Sequence, residues 1–411
     1  MKRLFILLAG VLTSFYLQAQ KNSLDYFVNY AISNSPLLKD YNNQVLSFRL
    51  DSQLLRATMK LQVNGISTNS YAPVINGWGY DPVITNLQQV SAMVQVSKSF
   101  LSNKTIGSQI AGLQVQSQGI ANAIKISEQD VIKSITDQYI TTYGEQLQLD
   151  YNYEVNGLLK KEDSLLKILT QNNVYRQTDY LSFAVTVQQQ LLATSQLEVQ
   201  YNFDYAALNY LAGIMDTAST RLEDPQLSSK AFGDYTTSIF YRQFVLDSLK
   251  LANDRMVVEF SYRPKINAYA DGGYNSSLLY KAYKNVGASI GLTLNIPIYD
   301  GKQKKLQYAK IDIQEKTRTY KRDFFMQQRS QQIMQLTQQL NATNRLIDQI
   351  NKQIRYTETL ITVNERLLST GDIRLTDFIL SLNNYFAARN LVTQNNISRL
   401  KIINQLNYWS R

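Results

Sequence analysis

Between Gly287 and Ile298 apolar and polar residues alternate without a break. Ala288, Ile290, Leu292, Leu294, Ile296 and Ile298 fall on one side, and Gly287, Ser289, Gly291, Thr293 and Asn295 on the other. Period two is the side-chain repeat of a β-strand. The segment before it shows the same pattern, with Ile266, Ala268, Ala270 and Gly272 set against Asn267, Tyr269, Asp271 and Gly273. Earlier in the chain, Ala92, Val94 and Val96 alternate with Ser91, Gln95 and Ser97. Each such strand has one apolar face and one face of small polar residues. That suits a barrel wall between lipid and water, and equally the half-buried strand of a soluble sheet.

After each pair of strands the period changes. From Lys302 to Ser369 there is neither Pro nor Gly, and Ile333, Leu340, Ile347, Ile354, Ile361 and Leu368 recur every seventh residue, with Leu336 and Ile350 between them. A sustained seven-residue repeat specifies a left-handed supercoil. At about 1.5 Å per residue such a helix is roughly 100 Å long. An earlier seam steps through Val155, Leu159, Glu162, Leu166 and Leu169. Thr170–Asn173 and Thr370–Asp372 read as the turns that end the two long helices, Gly371 suiting a helix C-terminus and Asp372 the start of the next element. Thr178 and Thr376 read as caps of returning helices that run to about Leu211 and Trp409. Shorter helices are expected over Ser23–Met59 and Ser238–Tyr262.

The order of elements is written twice. Sliding the sequence by 198 positions brings Lys104 onto Lys302, Ala111 onto Ala309, Arg176, Thr178 and Asp179 onto Arg374, Thr376 and Asp377, and Leu208-Asn209-Tyr210 onto Leu406-Asn407-Tyr408. Ahead of residue 88 a shift of 205 fits instead, aligning Lys60-Leu61-Gln62 with Lys265-Ile266-Asn267, so the first hairpin loop is longer. This predicts a first repeat at 21–215, with a β-hairpin at about 61–100 and a helical hairpin at about 101–211. A linker follows at 216–235. The second repeat takes 236–411, with strands at about 265–298 and helices at about 302–409. The better heptads of the second repeat, and a glycine at its turn alone, mark its helical hairpin as the one expected to move if a single hairpin does.

Composition narrows the setting. Lys2 and Arg3 precede the apolar run Leu4–Leu17 and the small Ala19, which predicts a secretory signal peptide over 1–20. No other segment has the apolar length of a spanning helix, so a membrane would have to be crossed by strands closed into a barrel. Two strand pairs per chain are too few for that, since small outer-membrane barrels have about eight strands, and oligomerisation is implied. Cys and His are absent, which removes thiol and imidazole chemistry and most transition-metal sites. No catalytic set, metal or cofactor is expected. With 6 Pro and 17 Gly in 411 residues the chain lacks turn punctuation, as long helices require. Tyr supplies 28 of the aromatics, a preference suited to a membrane–water boundary. The net charge of +10 is read as a solvated or headgroup-facing surface rather than a nucleic-acid footprint.

The ordered set of motifs resembles the TolC family of outer-membrane efflux proteins. Leu24-Asp25-Tyr26-Phe27 through Asn34-Ser35-Pro36-Leu37 resembles the family's opening helix, Arg263-Pro264-Lys265-Ile266 its strand-opening Pro, and Ile296-Pro297-Ile298-Tyr299-Asp300-Gly301-Lys302 its strand-to-helix junction. Gly371–Asp377 resembles the periplasmic turn of the second repeat. The resemblance implies a mixed α/β membrane protein: a homotrimeric, twelve-stranded outer-membrane barrel with four strands per chain, continued by a periplasmic coiled-coil tunnel. It implies a Gram-negative outer membrane, contact with its lipid, and a passive conduit driven through a periplasmic adaptor protein and an inner-membrane pump. Asp377 matches a gate aspartate, with Asp179 its counterpart in the first repeat. Asp372, Arg374 and Arg176 are the further gate candidates, and Leu380 stands where a second gate aspartate is expected. Asp377, Asp179, Arg374 and Arg176 can equally be cap and solvent-face residues. Lys302, Lys304, Lys305 and Lys310 are expected at the inner rim of the barrel, near lipid phosphates, or as a solvated helix start. A periplasmic adaptor and an exported structural coiled coil are the rival classes. An adaptor carries one helical hairpin, and a fibrous coiled coil needs no amphipathic strand pairs.

Overall fold

The computed structural model describes residues 22–411 apart from 86, 217 and 280, so the signal peptide expected over 1–20 lies outside the described residues. Two compact units divide the chain: one gathers the segments up to Asp40, Ile124–Ile239 and Phe324–Arg411, the other Tyr41–Ala123 and Phe240–Asp323. Each unit therefore draws on both halves of the sequence.

The chain opens with α1 (Leu24–Asn34) and α2 (Pro36–Thr58) where one helix was expected. Ser23 caps α1 by accepting the Tyr26 N–H at 3.3 Å. At the break, Ser35 ends α1 through its N–H to the Ala31 carbonyl (2.9 Å), and its hydroxyl accepts the Leu38 N–H at 3.4 Å. Pro36 is the first residue of α2, the helical position where a missing N–H costs least. The apolar period runs through this point, but the backbone restarts.

Four strands, β1 (Gln62–Tyr71), β2 (Gln88–Phe100), β3 (Lys265–Ser276) and β4 (Val286–Asn295), form one antiparallel sheet in sequence order. The expected last strand reached Ile298, whereas β4 stops two residues before Pro297, which has no N–H to give a ladder. Register places Val63 opposite Val96, Val96 opposite Ala270, and Ala270 opposite Ile290, so the predicted apolar residues share one face across all four strands. The other face carries Gln95, Asp271 and Ser289 at matching positions. β1 and β4 each have one unpaired edge. The longer first loop holds an Ile75–Trp78 bridge and a helical turn at Pro82–Thr85, whose Val83 N–H is taken by the Asp81 carboxylate at 2.9 Å.

Each strand pair feeds a helical hairpin: α3 (Asn103–Gln171) with α4 (Gln177–Ala212), then, after α5 (Ile239–Ser261) and the second strand pair, α6 (Gln303–Thr370) with α7 (Leu375–Trp409). The heptad residues Leu336, Ile347, Ile350, Ile354, Ile361 and Leu368 are buried, as are Val155, Leu159, Glu162 and Leu166. Ile333, Leu340 and Leu169 are half-buried. Between the hairpins, the segment after α4 lays Leu222 into a core of Phe27, Ile135, Tyr139, Tyr205 and Leu208. Arg221 holds it to Asp150 through a bidentate pair at 2.5 and 3.0 Å.

Candidate functional site

Among the described residues no helix is long and apolar enough to cross a membrane, and no group of acidic, His or Cys side chains is arranged to hold a metal ion. The features that invite a function are the two-faced sheet and the pair of turns joining the long helices.

On the sheet, the apolar face is open. Ile290 is 87 % exposed and Leu292 77 %, in strand interiors where a soluble sheet would cover them. Pro297, Asp300 and Gly301 lie at the end where β4 passes into α6. Gly301 and Lys302 both take left-handed backbone (φ 61° and 71°). Asp300 then accepts the N–H of Lys302 at 2.9 Å and of Lys304 at 2.8 Å, capping α6. Its counterpart 198 residues earlier is Ser102, whose hydroxyl accepts the Lys104 N–H at 3.2 Å where β2 passes into α3.

The two turns share one geometry. α6 ends with Gly371 in the left-handed region (φ 79°), its N–H on the Leu368 carbonyl and that of Asp372 on Leu367. α3 ends identically, with Asn173 (φ 63°) in the glycine's role and N–H bonds from Asn173 to Thr170 and from Val174 to Leu169. Asn is the residue besides Gly that tolerates this conformation. The two positions are again 198 apart. The expected caps Thr178 and Thr376 are instead inside the first turns of α4 and α7. The N-cap positions belong to Arg176 and Arg374, neither of which makes a side-chain capping bond. The left-handed residue fixes where the next helix begins, and that start falls on the arginines whatever their side chains prefer.

Asp179 and Asp377 lie in the first turns of α4 and α7, favourable ground for an anion at a helix N-terminus. Asp372 accepts the Thr370 hydroxyl at 2.7 Å. Neither Arg176 nor Arg374 has a carboxylate within ion-pair distance among the described residues. What joins the turns is Tyr175, absent from the sequence-derived set. Its hydroxyl lies 2.9 Å from the Ile373 carbonyl and 3.5 Å from that of Leu368. Burial raises its pKa, and the nearby carboxylates of Asp372 and Asp179 add to the rise. Behind it, Leu159, Leu166 and Phe183 of the first hairpin pack with Leu368, Leu375 and Phe378 of the second.

One seam residue of this cluster is an acid. The Glu162 side chain is 1 % exposed, with Lys161 Nζ 3.7 Å from its Oε1 and 2.9 Å from Oε1 of Glu365. Burial first, and then the adjoining Glu365 carboxyl, push Glu162 up to about 7, against the opposing pull of Lys161. The acid in the heptad was visible in the sequence. Its partner on the other hairpin was not.

No family model matches the chain, and no curated protein matches it. Solved structures do. CusC, studied for the changes that accompany its folding and transmembrane channel formation, superposes with a TM-score of 0.75 at 12 % identity over 94 % of this chain and 92 % of that one. The outer membrane protein VceC of Vibrio cholerae gives 0.74 at 10 % identity, over 94 % and 96 %. The open-state MtrE outer membrane channel of Neisseria gonorrhoeae gives 0.73 at 10 % identity, over 94 % and 88 %. At these identities the likeness is one of fold, and it spans nearly the whole of every chain compared. Two-faced strand pairs, paired long helices and matched turns are thus the parts of a known architecture: this chain has the fold of TolC-like outer-membrane channel proteins.

Proposed function

We propose that the chain is one subunit of a homotrimeric outer-membrane channel, a passive conduit for small molecules or proteins. In this reading it is coupled through a periplasmic adaptor protein to an inner-membrane pump in a Gram-negative cell. The observation that carries the reading is the sheet: an exposed apolar face, an opposite face of small polar residues, and an unpaired edge at each side. Open edges of this kind invite another chain. Four strands cannot close, whereas three copies joined from β4 to β1 give twelve, lipid outside and water inside.

The turn pair is the proposed gate. Three-fold symmetry turns one inward carboxylate per chain into a ring of three, a local field that favours cations. Asp377 and Asp179 in the first helical turns, with Asp372, Arg374 and Arg176 beside them, are the residues assigned to it. Leu380, 59 % exposed one turn beyond Asp377, makes that ring less acidic and more apolar. An adaptor is disfavoured because two helical hairpins each follow a strand pair of their own.

Membrane fractionation, mass measurement in detergent and planar-bilayer recording test the reading together. The expected result is a heat-sensitive particle of three chains in the outer-membrane fraction that conducts ions. A soluble particle of a single chain would refute it.

A further inference from the structure

The two ends of the sheet differ in charge. The loops over 72–87 and 277–285 carry Asp81, Lys281 and Lys284. At the opposite end, where strands meet helices, the chain carries Lys98, Arg263, Lys302, Lys304 and Lys305, with Lys60, Lys104 and Lys265 nearby in sequence, and the one carboxylate of Asp300. That carboxylate is committed to the N–H groups of Lys302 and Lys304. None of the five cations has a carboxylate within ion-pair distance among the described residues.

Aromatic rings lie under three of these cations. Lys304 Nζ is 5.6 Å from the Tyr262 ring centre, and the Arg263 guanidinium 4.4 Å from that of Phe260. Lys98 decides what the collar faces. It stands on the apolar face of β2, in line with Val94, Val96 and Phe100, beside Ala268, with its ammonium 5.4 Å from the Phe100 ring. Ile296 is half-exposed and Ile298 almost wholly exposed in the segment that leads from β4 to Lys302. Whatever covers this face must present apolar chains along the strands and an anion at their end. Long basic side chains at such a boundary keep their stems in the apolar layer and their heads at its polar surface.

We propose that this collar is a binding surface for the phosphate headgroups of anionic glycerophospholipid in the leaflet that meets the strand-to-helix junction. The proposal rests on the membrane-channel reading. It adds a lipid class and a set of residues to it.

The test compares the full chain with K98Q/K302Q/K304Q/K305Q and with K281Q/K284Q. Each is reconstituted with phosphatidylethanolamine plus either phosphatidylglycerol or cardiolipin, extracted into neutral detergent, and weighed by native mass spectrometry. The unaltered chain and K281Q/K284Q should retain the anionic lipid at least tenfold over phosphatidylethanolamine, and the quadruple variant should approach parity. All three should float with phosphatidylethanolamine vesicles and keep the same β-sheet circular dichroism, which separates lost binding from lost folding. The proposal is overturned by an undiminished preference in the quadruple variant, by no preference in the unaltered chain, by a loss that follows Lys281 and Lys284, or by retention of lipid A alone in an added arm. If the unaltered chain fails to enter vesicles of any composition, the channel reading itself falls, and the collar with it.

Discussion

Glu162→Gln isolates a single buried charge. The side chain is 1 % exposed, and its acid is raised from 4.5 to about 7, by burial first. At about 1.4 kcal/mol per tenfold change in proton affinity, holding Glu162 ionised in the fold costs about 3 kcal/mol. The direction follows from linkage: with the folded pKa above the unfolded one, the folded state holds the extra proton between pH 4.5 and 7. Stability from this group therefore falls as pH rises through that window and is lowest above it. Gln is neutral throughout and removes the slope. With an unfolding entropy of about 2 cal/mol/K per residue, about 3 kcal/mol corresponds to a shift of roughly 3–4 °C for a chain of this size melting as one unit. The assay is thermal melting in detergent at pH 5 and pH 8. The drop in Tm between the two should be smaller in E162Q than in the unaltered chain by that amount. Lys161→Met should enlarge the drop, since the ammonium opposes the rise. Parallel pH profiles for the unaltered chain and E162Q would refute the reasoning, whatever the absolute Tm values.

Gly371→Ala places a Cβ at positive φ and 2.7 Å from Val174 Cγ1, so it should destabilise the turn pair by about 1–2 kcal/mol, read by denaturant unfolding, whereas Asn173→Gly should be nearly neutral. Tyr175→Phe removes the hydroxyl that reaches the Ile373 and Leu368 carbonyls. It should cost about 1 kcal/mol and raise hydrogen exchange at Gly371–Arg374 roughly fivefold, with no change at the sheet. Asp377→Ala with Arg374→Ala should raise single-channel conductance and weaken cation preference in planar bilayers, and unchanged values of both would remove these residues from the gate.

Much of the architecture was legible because it is periodic. The two-residue alternation fixed which side chains share a sheet face, and the cross-strand register from Val96 through Ala270 to Ile290 follows from it. The heptads located the buried seam of α6, and the 198-residue offset paired the two turns and set Arg176 against Arg374. Reading failed where one residue's local conformation overrode its type. Pro36 begins a helix rather than riding inside one, Asn173 takes a conformation expected of glycine, and arginines occupy positions where threonines make better caps. It failed also for contacts between distant segments. Tyr175 reaches Ile373 and Glu162 adjoins Glu365, pairings that no pattern within one helix can announce.

Those distant contacts bear on how the turns would part. Weaker heptads in the first hairpin, and a glycine at the second turn alone, marked the second hairpin as the one to move if one hairpin moves more than the other. The two turns in fact share a backbone geometry, so glycine confers no hinge that Asn173 lacks. They are also fastened to each other. Tyr175 spans from one turn to the backbone of the next, Val174 fills the space beside Gly371, and Phe183, Leu368 and Phe378 are buried in one cluster. Moving the second hairpin alone would expose those three side chains and strand the tyrosine hydroxyl. Burying a Phe or Leu side chain is worth about 1.5–3 kcal/mol, so exposing the three together costs several kcal/mol. Within one subunit the low-cost motion keeps the turns paired and swings them together. In the proposed assembly Arg176 and Arg374, which have no ion-pair partner among the described residues, are the turn-surface groups that would meet a neighbouring subunit.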